Sequence, residues 1–178
     1  VGAIRVEDLP HYTYDDYKIW EGRWELIEGV PYAMAPSPTF EHQDISANIH
    51  IELKNLLKKC KHCSCILAVD WKISEEIVLC PDNSVVCNEI ITDFIETVPA
   101  IIFEVLSPST KKKDRTIKYN IYQEQGVKYY ILVDPKGSFA EIYRLENGYY
   151  RLQGELTNEN YIFDLGACQI DFNFGNLF

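Results

Sequence analysis

The sequence predicts a mixed α/β sheet with helices packed on it, held in one domain spanning residues 1–178. Three observations carry that reading. Apolar residues recur at helical spacing between about Glu41 and Cys60. A run from Ala100 to Leu106 is wholly apolar apart from Glu104. Two hairpin signals, Glu28-Gly29 and Asn147-Gly148, each stand between short strand-like segments. At 178 residues the chain fits one domain and is long enough to bury a core. No internal repeat, low-complexity stretch or linker divides it.

The elements follow in order. Thr13-Tyr14-Asp15-Asp16 has the form of a capping box and opens a short helix expected to end near Gly22. Trp24–Ile27 and Val30–Ala33 flank the Glu28-Gly29 turn, and Pro36-Ser37-Pro38-Thr39 reads as a loop. Ile45, Ile49, Leu53, Leu56 and Leu57 mark one face of a long amphipathic helix; Asn48, Glu52, Lys54, Asn55 and Lys58 mark the other. Ser64–Leu67, Trp71–Ser74 and Ile77–Leu79 read as strands, with a turn at Glu75-Glu76. Asp82 precedes a further strand at Val85-Val86-Cys87, and Thr92–Val98 is a connector with some helical character. After the Glu104 strand, Ser109 or Thr110 can cap a helix that runs to Gln125 and stops at Gly126. Val127–Asp134 is a strand, Asp134-Pro135-Lys136-Gly137 a turn, and Phe139–Leu145 with Tyr149–Leu152 a hairpin. Short strands near Tyr161–Phe163 and Cys168–Phe172 close the chain. The succession of helix, hairpin, helix, strands, helix, strand and hairpin departs from regular βαβ alternation.

Composition narrows the function. No apolar run approaches the length of a membrane helix, and Val1–Pro10 has no signal-peptide pattern. The net charge of −10 argues against coating nucleic acid by bulk electrostatics. Two basic clusters stand apart from this: Lys54, Lys58, Lys59 and Lys61, and then Lys111, Lys112, Lys113, Arg115 and Lys118. Local patches of this kind can hold a phosphate backbone over a small footprint. The six cysteines are expected to be free thiols in a reducing, cytoplasmic setting. Cys60-Lys61-His62-Cys63-Ser64-Cys65 carries soft-metal ligands at short spacing. A closed zinc site needs four, however, and only Cys80 and Cys87 offer to complete it.

The chemistry gathers around Glu104. Its strand reads as buried on both faces, and a lone carboxylate there costs several kcal/mol unless a cation or donor meets it. Asp82 stands at the start of the preceding strand, so neighbouring strands can bring the two acids together. Two oxygen ligands with room for water suit Mg²⁺. Lys118, on the next helix, shares a face with Asp114 four residues earlier and can stabilise charge on a phosphate. Ser107, Ser109 and Thr110 read as caps and turn formers, and no Gly-x-Ser-x-Gly motif marks a serine hydrolase. His42 reads as a helix-start residue, with a phosphate or catalytic role as the alternative, and Asp114 either as an acid favoured in a helix's first turn or as part of the site.

Several of these residues together resemble the Uma-two family, a group of restriction-endonuclease-like proteins within the PD-(D/E)xK nuclease superfamily. The resemblance rests on Pro81-Asp82, the run from Glu104 to Thr110, and Asp114, Lys118 and Tyr122. Gly126-Val127, Tyr129-Tyr130 and Val133-Asp134-Pro135 extend it, as do Trp24–Gly29 and His42. It implies a restriction-endonuclease-like mixed sheet flanked by helices and a Mg²⁺- or Mn²⁺-dependent site acting on DNA. By the same resemblance Asp82 and Glu104 would be the metal carboxylates, Lys118 the lysine at the phosphate, and Glu25 a supporting acid. The superfamily's plain pattern puts the lysine two residues after the acid; here that residue is Leu106, and Lys118 takes the place from the following helix. Lys111, Lys112, Lys113 and Arg115 are candidates for the DNA backbone. Cutting both strands would favour a homodimer. The missing lysine at position 106 and the acidic net charge also suit a second reading, a weak or inactive nuclease-fold module that binds DNA or a protein.

Overall fold

A computed structural model describes residues 5–35, 37–89 and 92–178; Pro36 of the expected loop lies outside the described residues. After a 3₁₀ turn at Val6–Asp8, helix α1 (Tyr14–Tyr17) is a single turn closed by the predicted capping box between Thr13 and Asp16. It stops well short of Gly22. It buries no residue, so nothing offsets the entropy of extending it. Strands β1 (Trp24–Ile27) and β2 (Val30–Ala33) pair through Glu28 (φ 50°) and Gly29 (φ 74°), the two left-handed positions that a tight hairpin turn needs.

Helix α2 (Phe40–Leu56) starts where the Thr39 hydroxyl accepts from the His42 backbone N–H at 3.2 Å. It buries Ile45, Ile49 and Leu53 and runs on as a 3₁₀ turn, Leu57–Lys59. Strands β3 (Cys63–Leu67), β4 (Trp71–Lys72), β5 (Val78–Leu79), β6 (Asn83–Cys87) and β7 (Ile101–Val105) follow. β4 is shorter than the predicted Trp71–Ser74. The Thr92–Val98 connector holds bends and one parallel bridge, Ile95 to Trp71, in place of helical character. The predicted helix after β7 is continuous but changes pitch: α3 (Lys111–Lys113), a π-helical stretch (Asp114–Lys118), then α4 (Tyr119–Gln125). Gly126 ends it at φ +86°. Strands β8 (Tyr129–Asp134), β9 (Phe139–Glu146), β10 (Tyr149–Leu156), β11 (Asn160–Asp164) and β12 (Gln169–Asn173) complete the chain.

The main sheet has six strands in the order β10-β9-β8-β7-β6-β3, and only β7 and β8 run parallel. That parallel step needs a crossover, and the residue 111–125 helix supplies it. A four-stranded sheet (β2-β1-β5-β4) and the β11-β12 ribbon accompany it. β7 is buried along its whole length. Ile101, Phe103 and Val105 pack with Ile45, Ile49 and Leu53 of α2 and with Phe163, Phe172 and Phe174 near the C-terminus. Ile102 packs on the opposite face with Ile27, Trp71, Tyr122 and Tyr130. Glu104 alternates onto this second face, between the crossover helix and the N-terminal hairpin. No described helix is long and apolar enough to cross a membrane.

The cysteines depart from expectation. Cys60 is bonded to Cys168 and Cys63 to Cys87, while Cys65 and Cys80 are free and buried. The sheet register sets Cys63 directly opposite Cys87, and the turn between β11 and β12 brings Cys168 to the end of the α2 segment. These are long-range consequences of topology, across 24 and 108 residues.

Candidate active site

Glu104 projects from the central strand and is 3% exposed. Its Oε1 accepts from Lys118 Nζ at 2.8 Å and from the Tyr122 hydroxyl at 2.8 Å. The cation and the donor that a buried carboxylate requires are therefore both present. Lys118 is equally buried, and its ammonium also lies 3.0 Å from Glu25 Oε1 and 3.5 Å from Asp114 Oδ1. The π-helical stretch carries both Asp114 and Lys118 inward, and the Tyr130 hydroxyl donates to the Asp114 carbonyl at 2.9 Å. Glu25 comes from β1 on the opposite wall. It accepts from the Cys80 backbone N–H at 3.2 Å and pairs with Lys113.

Asp82 enters from the other side of Glu104. The β6–β7 register sets Asn83 opposite Phe103, which puts Asp82 level with Glu104. Asp82 Oδ2 accepts from the Val105 backbone N–H at 2.8 Å, so it takes over a backbone donor where the β6 ladder ends. The same oxygen lies 3.3 Å from His42 Nε2, on the first turn of α2. One helical turn on, Ser46 fixes α2 to β6: Asn83 Nδ2 donates to its carbonyl at 3.0 Å and to its hydroxyl at 2.9 Å. Asp82 and His42 form the more accessible rim, with side chains 18% and 14% exposed.

Three acids (Glu25, Glu104 and Asp114) thus share the two ammonium groups of Lys113 and Lys118, with Asp82 beside them paired to His42. Burial pushes the Glu104 carboxyl well above its usual range. Lys118 opposes that shift, while Asp82, Asp114 and Glu25 add to it. Asp114 is raised for the same first reason. Burial would also raise Glu25, but Lys118 and Lys113 together outweigh it and hold the group below its usual value. Lys118 is desolvated, which favours the neutral amine, yet Glu104 and Glu25 more than restore the charge and keep it an ammonium. His42 loses solvation as well, and Asp82 raises it above an ordinary histidine.

The donor set suits a hard divalent cation. Carboxylates exceed lysines around Glu104, and Asp82 Oδ1 and Glu104 Oε2 have no hydrogen bond among the described residues. Asp114 Oδ1 is buried without one. Two carboxylates with water completing the shell match what Mg²⁺ or Mn²⁺ accepts. The acids are spread rather than tightly gathered. Among the described residues, three ligand atoms within 4.8 Å of one another occur only at His62, Cys63 and Cys168.

The structure brings Glu25, Glu104 and Lys118 into one network and places Asp82 beside it. The expected DNA-backbone residues diverge. Lys113 is consumed by Glu25, and Arg115 makes a bidentate pair with Glu141 at 2.6 and 3.1 Å. Lys111 is 55% exposed at 3.9 Å from Asp134, and Lys112 is exposed. His42 and Asp114, expected chiefly at a helix start and in a helix's first turn though both belong to the family resemblance, enter the site, as do Ser46 and Asn83, for which the sequence suggested no role. Tyr122 lies four residues after Lys118 and so on the same helix face, a signal that was available. Two clefts of about 280 and 420 Å³ lie elsewhere, along the N-terminal aromatic residues Tyr12, Tyr14, Tyr17, Trp20 and Trp24.

Comparison with known proteins agrees with this architecture. Residues 14–165 match the model of the family described as "Uma2: Putative restriction endonuclease". An uncharacterized protein, slr1290 of Synechocystis sp. (strain ATCC 27184 / PCC 6803 / Kazusa), is 30% identical over 145 residues, covering 76% of this chain and 75% of its own. A solved structure from Anabaena variabilis ATCC 29413, titled a putative nuclease belonging to DUF820, superposes with a TM-score of 0.75. It is 18% identical and covers 93% of this chain and 97% of its own, a likeness of fold. On the strength of that family match across most of its length, the chain belongs to the Uma2 family.

Proposed function

We propose that the chain is a Mg²⁺- or Mn²⁺-dependent endonuclease that hydrolyses DNA phosphodiester bonds at the Asp82–Glu104 site. The observation that carries this reading is the level placement of Asp82 and Glu104 across β6 and β7, each with an uncommitted oxygen, beside the Lys118 ammonium. Asp82 and Glu104 would hold the ion, which when bound neutralises both acids and polarises a phosphoryl oxygen. Lys118 stays protonated in this setting, so it serves as a fixed positive charge for the scissile phosphate and not as a general base. Tyr122 and Lys118 fix the Glu104 side chain in one orientation. Glu25 keeps Lys118 in place through its own ion pair, with Lys113 balancing its charge. Lys111 and Lys112 are the exposed cations available to a DNA backbone. Cleavage of both strands would take a second copy of the chain.

Nicking of supercoiled plasmid DNA tests this. With Mn²⁺ or Mg²⁺ the wild type is expected to convert supercoiled to open-circular DNA. Glu104→Gln should lower the rate at least 100-fold, and a chelator should abolish it. Equal nicking by wild type and Glu104→Gln would refute the assignment. Metal-independent DNA binding without cleavage would favour a binding module instead.

A further inference from the structure

We propose that Cys60, Cys63, Cys87 and Cys168 form a four-thiolate zinc site in the reduced protein, with His62 beside it as a hydrogen-bond donor. This site is separate from the acid cluster, and it stands whether or not the nuclease proposal holds. Four structural elements supply it. Cys60 follows the 3₁₀ turn at the end of α2, Cys63 opens β3 opposite Cys87 at the end of β6, and Cys168 comes from the turn between β11 and β12. The two disulfides place these sulfurs in adjacent pairs, and ligand atoms of His62, Cys63 and Cys168 lie within 4.8 Å of one another. Cys63 and Cys168 thus bring the two disulfides side by side, each with its bonded partner sulfur alongside. Sulfurs bound at about 2.3 Å to a tetrahedral zinc stand roughly 3.8 Å apart. Reduction frees each pair to open toward that spacing, and Cys63 and Cys168 already lie within 4.8 Å of each other.

Two independent observations point to a ligand here. His62 Nε2 is buried and has no hydrogen-bond partner among the described residues. A thiolate bound to zinc would accept its hydrogen, which is the usual way a neighbouring donor steadies a metal ligand. The second is charge. Four thiolates around Zn²⁺ carry a net −2, and Lys58, Lys59 and Lys61 cluster on the segment that delivers Cys60 and Cys63. That basic group has no part in the proposed nuclease site. The two remaining cysteines are not members: Cys65 Sγ lies 4.0 Å from the His50 carbonyl, and the backbone N–H of Cys80 bonds to Glu25 beside the acid cluster.

The chemistry balances. A phosphine reduces each disulfide with one water, giving two thiols and a phosphine oxide. Zinc then displaces the four thiol protons. The test uses the full chain reduced by phosphine, freed of metal and titrated with zinc alone against a chromogenic chelator. The expected result is one zinc per chain, at least 100-fold weaker binding in Cys168→Ser, and unchanged binding in Cys65→Ser. His62→Ala should weaken binding by about 10- to 100-fold. Because Cys168→Ser could unfold, Co²⁺ added to the reduced wild type gives a reading without substitution. An intense thiolate-to-cobalt charge-transfer band with a tetrahedral visible spectrum is expected. Absence of that band, no stoichiometric zinc, or equal loss in Cys65→Ser and Cys168→Ser would overturn the proposal.

Discussion

Lys118 holds the candidate site together because a single buried ammonium lies within 3.5 Å of carboxylates from three different elements. Of these, Glu25 is the one whose charge the site stabilises most clearly, since it also receives Lys113 and a backbone N–H. Glu25→Gln should destabilise the fold by about 3 kcal/mol at pH 7, because it removes the carboxylate that half-buried Lys113 pairs with and one of the three around buried Lys118. The pH dependence follows from the direction of the shift. Folded Glu25 titrates below its usual 4.5, so its contribution is complete above that value and is lost as pH falls through the folded one. Glu104 and Asp114 are raised and act in the opposite sense. The difference between wild type and Glu25→Gln isolates the Glu25 term, and in urea unfolding it should shrink as pH drops below about 4.5. Glu104 was legible from sequence because an acid inside an apolar run demands a partner. The partnership of Asp82 with His42 was not, since it depends on how α2 docks against the sheet.

At the level of elements, local turn chemistry was the most readable feature. Both hairpins form at Glu28-Gly29 and Asn147-Gly148, and all four residues have positive φ. The helix stop at Gly126 also forms, at φ +86° with nothing within 4 Å of where a Cβ would sit. Gly126→Ala should therefore cost only the backbone penalty, about 1 kcal/mol by urea unfolding. It should leave the acid cluster unchanged. The change of pitch at Asp114–Lys118 was not readable, because the segment's propensities suit an ordinary helix; the π-helical stretch coincides with the two residues that enter the acid cluster. The brevity of α1 and β4 has a simpler cause. Neither buries a face long enough to stabilise further residues. The cysteine pairings depended on strand register and on a turn 108 residues away, which short-range spacing does not encode.

For the molecule as a whole, the acidic balance of −10 and the capture of Lys113 and Arg115 by Glu25 and Glu141 leave a small cationic footprint for DNA. A polyanion approaching such a surface needs neutralisation at the site itself. Asp82 is the more exposed carboxylate and Glu104 the deeper one, so an ion would enter at the Asp82–His42 rim. Every part of the nuclease account depends on that ion. The direct test is Mn²⁺ binding followed by isothermal titration and by electron paramagnetic resonance, on wild type, Asp82→Asn and Glu104→Gln. The account predicts saturable binding in the wild type that falls at least tenfold in each variant while the thermal melt shows both still folded. Binding of equal strength in all three, or none in the wild type, would contradict it.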